Sequence, residues 1–153
     1  MGTVKRIKCK NCGYDIEAFF GEGMMSSMAN HKAMGKVPEY WNIEYEIAEP
    51  AYDIEAAKNG EYGEDIQKFL QEDTDIYVAK APAVAICSKC GAIEQTEDFM
   101  VYNNDGYVKR QKHFKKCEKC GGDAEIFDEC SIRDAICPKC HEKIDVSFLG
   151  IWD

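Results

Sequence analysis

The sequence predicts an α+β chain of two small, β-rich units, each closed by four cysteines, with a helical insertion between the halves of the first. Three observations predict it. Eight of the nine cysteines fall in four Cys-x-x-Cys pairs, at 9/12, 87/90, 117/120 and 137/140. Short β-like stretches flank those pairs. The long interval between the first two pairs reads as mostly helical over about 24–75.

The bounds are those of a soluble globular protein. A chain of 153 residues suits one compact domain or two very small ones. The hydrophobic content of 45% is ordinary. No apolar run approaches the length that crosses a bilayer, so no membrane span is expected. The opening MGTVKRIKC lacks an apolar run and a cleavage signature, and Arg6 breaks the myristoylation pattern. The expected location is the cytoplasm, where thiols stay reduced and cysteines serve metals more often than disulfides.

A Cys-x-x-Cys knuckle aims two thiolates at one ion from a tight turn. Gly13, Gly91 and Gly121 each follow the second cysteine of a pair, where a turn needs positive φ. The fourth pair has His141 there. Two knuckles make a tetrahedral four-cysteine site, so Cys9, Cys12, Cys87, Cys90, Cys117, Cys120, Cys137 and Cys140 give two sites. Redox pairs of the thioredoxin kind would need a βαβ context and not four copies.

The pairing of knuckles is open to two solutions. Cys117/Cys120 and Cys137/Cys140 are separated by the stretch 121–136, a usual ribbon length. Within that interval Ala124, Ile126 and Phe127 read as a strand and 132–136 as a return. Beyond it, Ile144, Val146 and Phe148 alternate as a third strand with one buried face. The remaining pairs, 9/12 and 87/90, would then join across the long stretch 13–86, with VKRIK and AVAI side by side. The competing solution joins 87/90 to 117/120 across the stretch 91–116, and 9/12 to 137/140. The first is preferred. It divides the chain into 1–106, holding the insertion, and 107–153.

Within the insertion, Met24, Met25, Met28 and Met34 surround Ala29, and helical spacing makes a core role the simpler reading, although methionine-rich faces also bind partners. Pro50 suits a first turn, Asn59-Gly60 a helix stop, and Ile66, Phe69 and Leu70 one apolar face. This helical segment should cover the small sheets. Asn104-Asp105-Gly106 reads as a hairpin turn.

CEKCGGDAEIF and ICPKCHEKIDV resemble a zinc ribbon of the kind found in bacteria, archaea and their phages. CKNCGYDIEAFFGEG resembles the first knuckle of rubredoxins. CSKCG at 87–91 is similar to the second, with Ser88 where rubredoxins usually have proline. The layout is also similar to small bacterial proteins that carry two ribbons around a helical insert. The resemblance covers about half the chain. It implies two bound Zn²⁺, or iron in a rubredoxin-like 9/12–87/90 site, and says little about activity because ribbons serve many functions.

Charge bears on partners. The formal net charge is −9, and two four-cysteine zinc sites would take it to about −13. Residues 39–75 hold twelve acids against Lys58 and Lys68. Residues 107–122 hold six bases against Glu118. There Tyr107, Lys109, Arg110, Lys112, Phe114, Lys115 and Lys116 form a candidate contact surface, since bases interleaved with aromatics grip single strands. A solvated strand whose lysines offset nearby thiolates is the simpler alternative, and overall acidity opposes nucleic acid. A protein partner is the expectation.

Of the rest, His113 reads as an exposed strand residue, with a role as substitute ligand as the alternative. His141 should point away from the ion, His31 should lie on the surface, and Cys130 should be a small core residue. Two closed four-cysteine sites leave no open metal position, and no catalytic constellation or deaminase signature is found. The expected function is a non-enzymatic, zinc-stabilised interaction module, with an iron electron carrier or a single-strand-binding factor as alternatives.

Overall fold

A computed structural model of the chain describes residues 2–35, 52–72, 76–108, 110 and 112–152, with the side chains of 24–26, 33 and 72 left aside. The chain is α+β, built on two antiparallel sheets. The first runs β2 (Asp15–Phe20), β1 (Gly2–Lys8), β8 (Asp145–Trp152). The second runs β5 (Gly106–Tyr107), β4 (Ile93–Asn103), β3 (Tyr77–Cys87), β7 (Asp123–Phe127), β6 (Phe114–Lys116). The sequence therefore nests: both ends of the chain build the first sheet, and its middle builds the second.

Strand periodicity places the core. Side chains two apart share a face, so Thr3, Lys5 and Ile7 lie opposite Phe20, Ala18 and Ile16. Ile7, Ala18 and Phe20 are buried and meet Val84, Ile86, Phe127, Ile132 and Ile144. This cluster takes residues from both sheets, which therefore share one core. Strand β3 reads YVAKAPAVAIC, and its Val78, Ala79, Ala81, Ala83, Val84, Ala85 and Ile86 are all buried. Burial at consecutive positions fits a central strand covered on both faces.

The insertion covers the other end of β3. Helices α1 (Met24–Ala33), α2 (Ile54–Lys58) and α3 (Glu64–Glu72) are the described helices. Asp53 caps α2 by accepting the N–H of Ala56, and Gly60 at φ 89° follows its end, as Asn59-Gly60 predicts. Ile54, Ala57 and Ile66 bury against Val78, Phe99 and Val101, with Phe69, Leu70 and Met34 packed alongside. The expected apolar face of α3 is thus found on the sheet. Pro50 lies outside the described residues.

Two side chains tie elements together. The Gln95 amide accepts from the Phe19 N–H (3.0 Å) and donates to the carbonyls of Phe19 (2.9 Å) and Ala83 (2.8 Å), coupling β2 to the second sheet. The Trp152 indole crosses β1 to donate to the Phe20 carbonyl at 3.1 Å. It passes where a Cβ on Gly2 would lie 2.1 Å away, so any side chain at that position would have to displace the indole.

Three expectations are corrected. VKRIK and AVAI do not lie side by side: β1 pairs with β2 and β8, and β3 with β4 and β7. The stretch 132–136 does not return as a strand along β7. Ser131–Asp134 is a short 3-10 helix, opened by Asp128, whose carboxylate accepts the N–H groups of Cys130 and Ser131, and Ile136 forms an isolated bridge to Lys143. Phe148 is 63% exposed, whereas Ile144 is buried and Val146 packs on the core. Asn104-Asp105 does form the β4–β5 turn, closed by Asn103 opposite Gly106.

Candidate metal centres

Each Cys-x-x-Cys pair folds into the same knuckle. The first cysteine's N–H reaches the carbonyl five positions on, and its own carbonyl accepts the N–H four positions on. These bonds are Cys9–Tyr14 2.8 Å and Gly13–Cys9 3.0 Å in the first knuckle, and Cys87–Ala92 2.9 Å and Gly91–Cys87 2.9 Å in the second. They are Cys117–Gly122 2.8 Å and Gly121–Cys117 2.8 Å in the third, and Cys137–Glu142 2.7 Å and His141–Cys137 2.9 Å in the fourth. The residue after the second cysteine takes φ 70°, 71°, 68° and 61°. Glycine supplies that conformation three times. His141 supplies it once, the one non-glycine with positive φ among the described residues.

The knuckles meet in two groups: Cys9, Cys12, Cys137 and Cys140, and Cys87, Cys90, Cys117 and Cys120. Within each group every sulfur lies within 4.8 Å of the others. The closest pairs are Cys9–Cys140 at 3.3 Å, Cys12–Cys137 at 3.5 Å, and Cys87–Cys120 and Cys90–Cys117 at 3.6 Å. A tetrahedron with metal–sulfur bonds of about 2.3 Å has edges of about 3.8 Å. Each group therefore has the spacing and donor set to hold one metal ion.

This pairing overturns the preferred one. Sheet pairing decides it. β3 and β7 run antiparallel with Cys87 opposite Ala124, which lays the second knuckle beside the third. β1 pairs along β8, with Lys8 opposite Asp145, which lays the first beside the fourth. The fourth knuckle also carries Pro138 directly after Cys137. The partner of the first knuckle thus has a proline where the second knuckle has Ser88.

Four thiols this close cannot all ionise unless a cation balances them. In each group one sulfur is pulled down to about 7. For Cys87 the backbone N–H groups of Cys90 and Lys89 do this against burial. For Cys140 it is the N–H of Glu142 and the Asn11 side chain. Others are held up. Cys12 is eased down by the N–H at Tyr14 but raised to about 11 by burial and its neighbouring thiols. Cys117 is raised to about 12 by burial and by Glu94.

The centres differ in surroundings. Glu94 accepts the Glu118 N–H at 3.0 Å and stands 3.2 Å from the Cys117 sulfur, with Lys115 at 3.6 Å. No spacing rule points to Glu94, which reaches the third knuckle from β4. The two centres are also neighbours: a Cβ on Gly91 would lie 3.7 Å from Lys139 and 3.9 Å from Pro138.

The basic stretch is dispersed into internal pairs. Arg110 joins Asp98 and Asp65, both at 2.9 Å. Lys112 meets Glu125 at 2.6 Å, Lys115 meets Glu118 at 3.0 Å, and Lys116 meets Asp123 at 2.6 Å. Tyr107 donates to Asp128. Phe114 is exposed, and Lys109 lies outside the described residues. His113 is half-buried and meets Asp98 at 2.7 Å, not the sulfurs. Cys130 is exposed rather than in the core. His31 is half-buried, stacked on Tyr77 with ring centres 4.0 Å apart, rather than a plain surface residue. No described helix is long and apolar enough to cross a membrane. Comparison with protein-family models, curated proteins and solved structures finds no match, so the assignment of two four-cysteine centres able to hold metal stands on this geometry.

Proposed function

We propose that the chain is a zinc-stabilised double ribbon whose metals are structural and whose surface binds a protein. The carrying observation is the pair of all-sulfur groups. Four thiolates saturate a tetrahedral ion and leave no position for water or substrate, which favours structure over catalysis. Soft, tetrahedral sulfur sites suit zinc. Each such site contributes about 10 kcal/mol or more to folding, and short helices and small clusters benefit from that support. A protein partner is favoured over nucleic acid because Arg110, Lys112, Lys115 and Lys116 face acids of their own chain and the net charge is −9.

Iron in the 9/12–137/140 centre is the second reading, favoured by Pro138 in its second knuckle. A colourless sample sets that reading aside and a red one supports it. The experiment for the structural role is complete chelation under reducing conditions, followed by circular dichroism and melting. Loss of the cooperative transition is expected, with recovery on adding zinc. An unchanged melting curve after full metal removal would refute it.

A further inference from the structure

We infer that β8 is the contact surface of a two-fold dimer, in which a second copy of this chain adds its own β8 edge to edge. The inference rests on the reading of the chain as a protein-binding module and names its partner. Strand edges expose unpaired backbone groups, and proteins blunt them with short length, charge or cover. The second sheet follows that rule. Its edges are β5, of just Gly106 and Tyr107, and β6, just Phe114 to Lys116 and carrying Lys115 and Lys116. The β2 edge of the first sheet is met by the Gln95 amide. β8 is different: it runs the full length from Asp145 to Trp152 at the sheet margin, and is uncharged from Val146 to Trp152.

Its side chains are as unprotected as its edge. Phe148, Leu149 and Ile151 are 63%, 45% and 61% exposed. A bulge opposite Val4/Lys5 sets Phe148 against Lys5 and Ile151 against Thr3, so both share one face although they are three apart. An antiparallel copy centred between Leu149 and Gly150 would put Phe148 opposite Ile151 of the second copy, and Leu149 opposite Gly150. Large meets β-branched, and bulky meets small, as a two-fold interface requires.

Charge admits a second copy at this strand, and the self-complementary register fits one. Two acidic chains repel over most of their surface, but this strand carries no charge from 146 onward, and Asp145 is already paired with Lys10 at 2.8 Å. Like chains can therefore meet here without opposing charges. The three side chains offer on the order of 300 Å² per chain, below the roughly 800 Å² per partner of a stable complex. Backbone pairing adds to this, and the dimer should be dissociable.

The test is sedimentation of the zinc-loaded full chain from low micromolar to submillimolar concentration. A concentration-dependent dimer is expected, together with concentration-dependent protection of β8 amides against hydrogen exchange. The double substitution Phe148→Lys/Ile151→Lys should weaken association by about a hundredfold or more, with metal content and circular dichroism unchanged. A monomer at every concentration would overturn the inference, as would a dimer that survives the double substitution. Metal content and dichroism of the same sample report separately on the zinc-held fold, so its failure is distinguishable from failure of the dimer.

Discussion

Arg110→Met is the substitution whose effect follows most directly from the geometry. The guanidinium is 9% exposed and bridges the Asp98 carboxylate, 8% exposed, at 2.9 Å. It also reaches Asp65 on α3 and the Phe99 carbonyl at 2.9 Å, so one side chain joins the insertion to β4. Methionine fills a similar volume but leaves Asp98 buried with His113 as a remaining partner. Removing one member of a buried pair costs about 3–5 kcal/mol, and His113 places the expectation at the lower end, about 3 kcal/mol. The exposed Asp65 arm adds little. For a chain of this size that is a fall in melting temperature of about 6–12 °C. The assay is urea unfolding at fixed free zinc, with the cycle completed by Asp98→Asn and the double variant. The double variant should be less destabilised than the sum of the singles by about 1.5 kcal/mol or more. A loss under about 1 kcal/mol, or strict additivity, would refute the reading of Arg110 as a buried structural cation.

Three other predictions use the same zinc-buffered conditions. His141→Gly should stabilise by about 1 kcal/mol, because it relieves a side chain at φ 61° in the left-handed region; no gain in urea midpoint would mean the histidine makes a compensating contact. Gly2→Ala should displace Trp152, cost about 1–3 kcal/mol and shift tryptophan emission to the red, and an unaltered spectrum would contradict the packing. Burial pushes the phenols of Tyr52, Tyr77 and Tyr107 above their usual value. Raised folded-state values mean that their stabilisation is complete below pH about 10 and is lost as pH rises beyond it. An ultraviolet titration should therefore show these phenols ionising together with unfolding, and independent ionisation of a folded chain would count against their burial.

The knuckles are legible in the sequence because their chemistry is local: two cysteines three apart and a residue with positive φ specify the turn without help from distant chain. The strand through AVAI is legible as a short unbroken apolar run before its knuckle, and the face of Ile66, Phe69 and Leu70 by helical periodicity. Pairing is not, because it depends on which strands hydrogen-bond. β1 finds β8 at the other end of the sequence, and a loop-length argument favours nearer partners. Phe148 escapes for a related reason. Alternation predicts which face a residue takes, but not that the strand is an edge whose face overhangs the core. The basic stretch reads as a surface because its acidic partners, Asp65, Asp98, Glu118, Asp123 and Glu125, are spread over separate elements.

The central claim is that two four-cysteine centres are nested, 9/12 with 137/140 around 87/90 with 117/120. Metal equivalents per chain, by elemental mass spectrometry of the untagged Cys9→Ser/Cys137→Ser variant beside the unmodified protein, test it most directly. Nested pairing predicts that the substitution destroys one centre and leaves one metal where the unmodified chain holds two. Consecutive pairing would place those cysteines in different centres, so a variant that retains no metal would contradict the account.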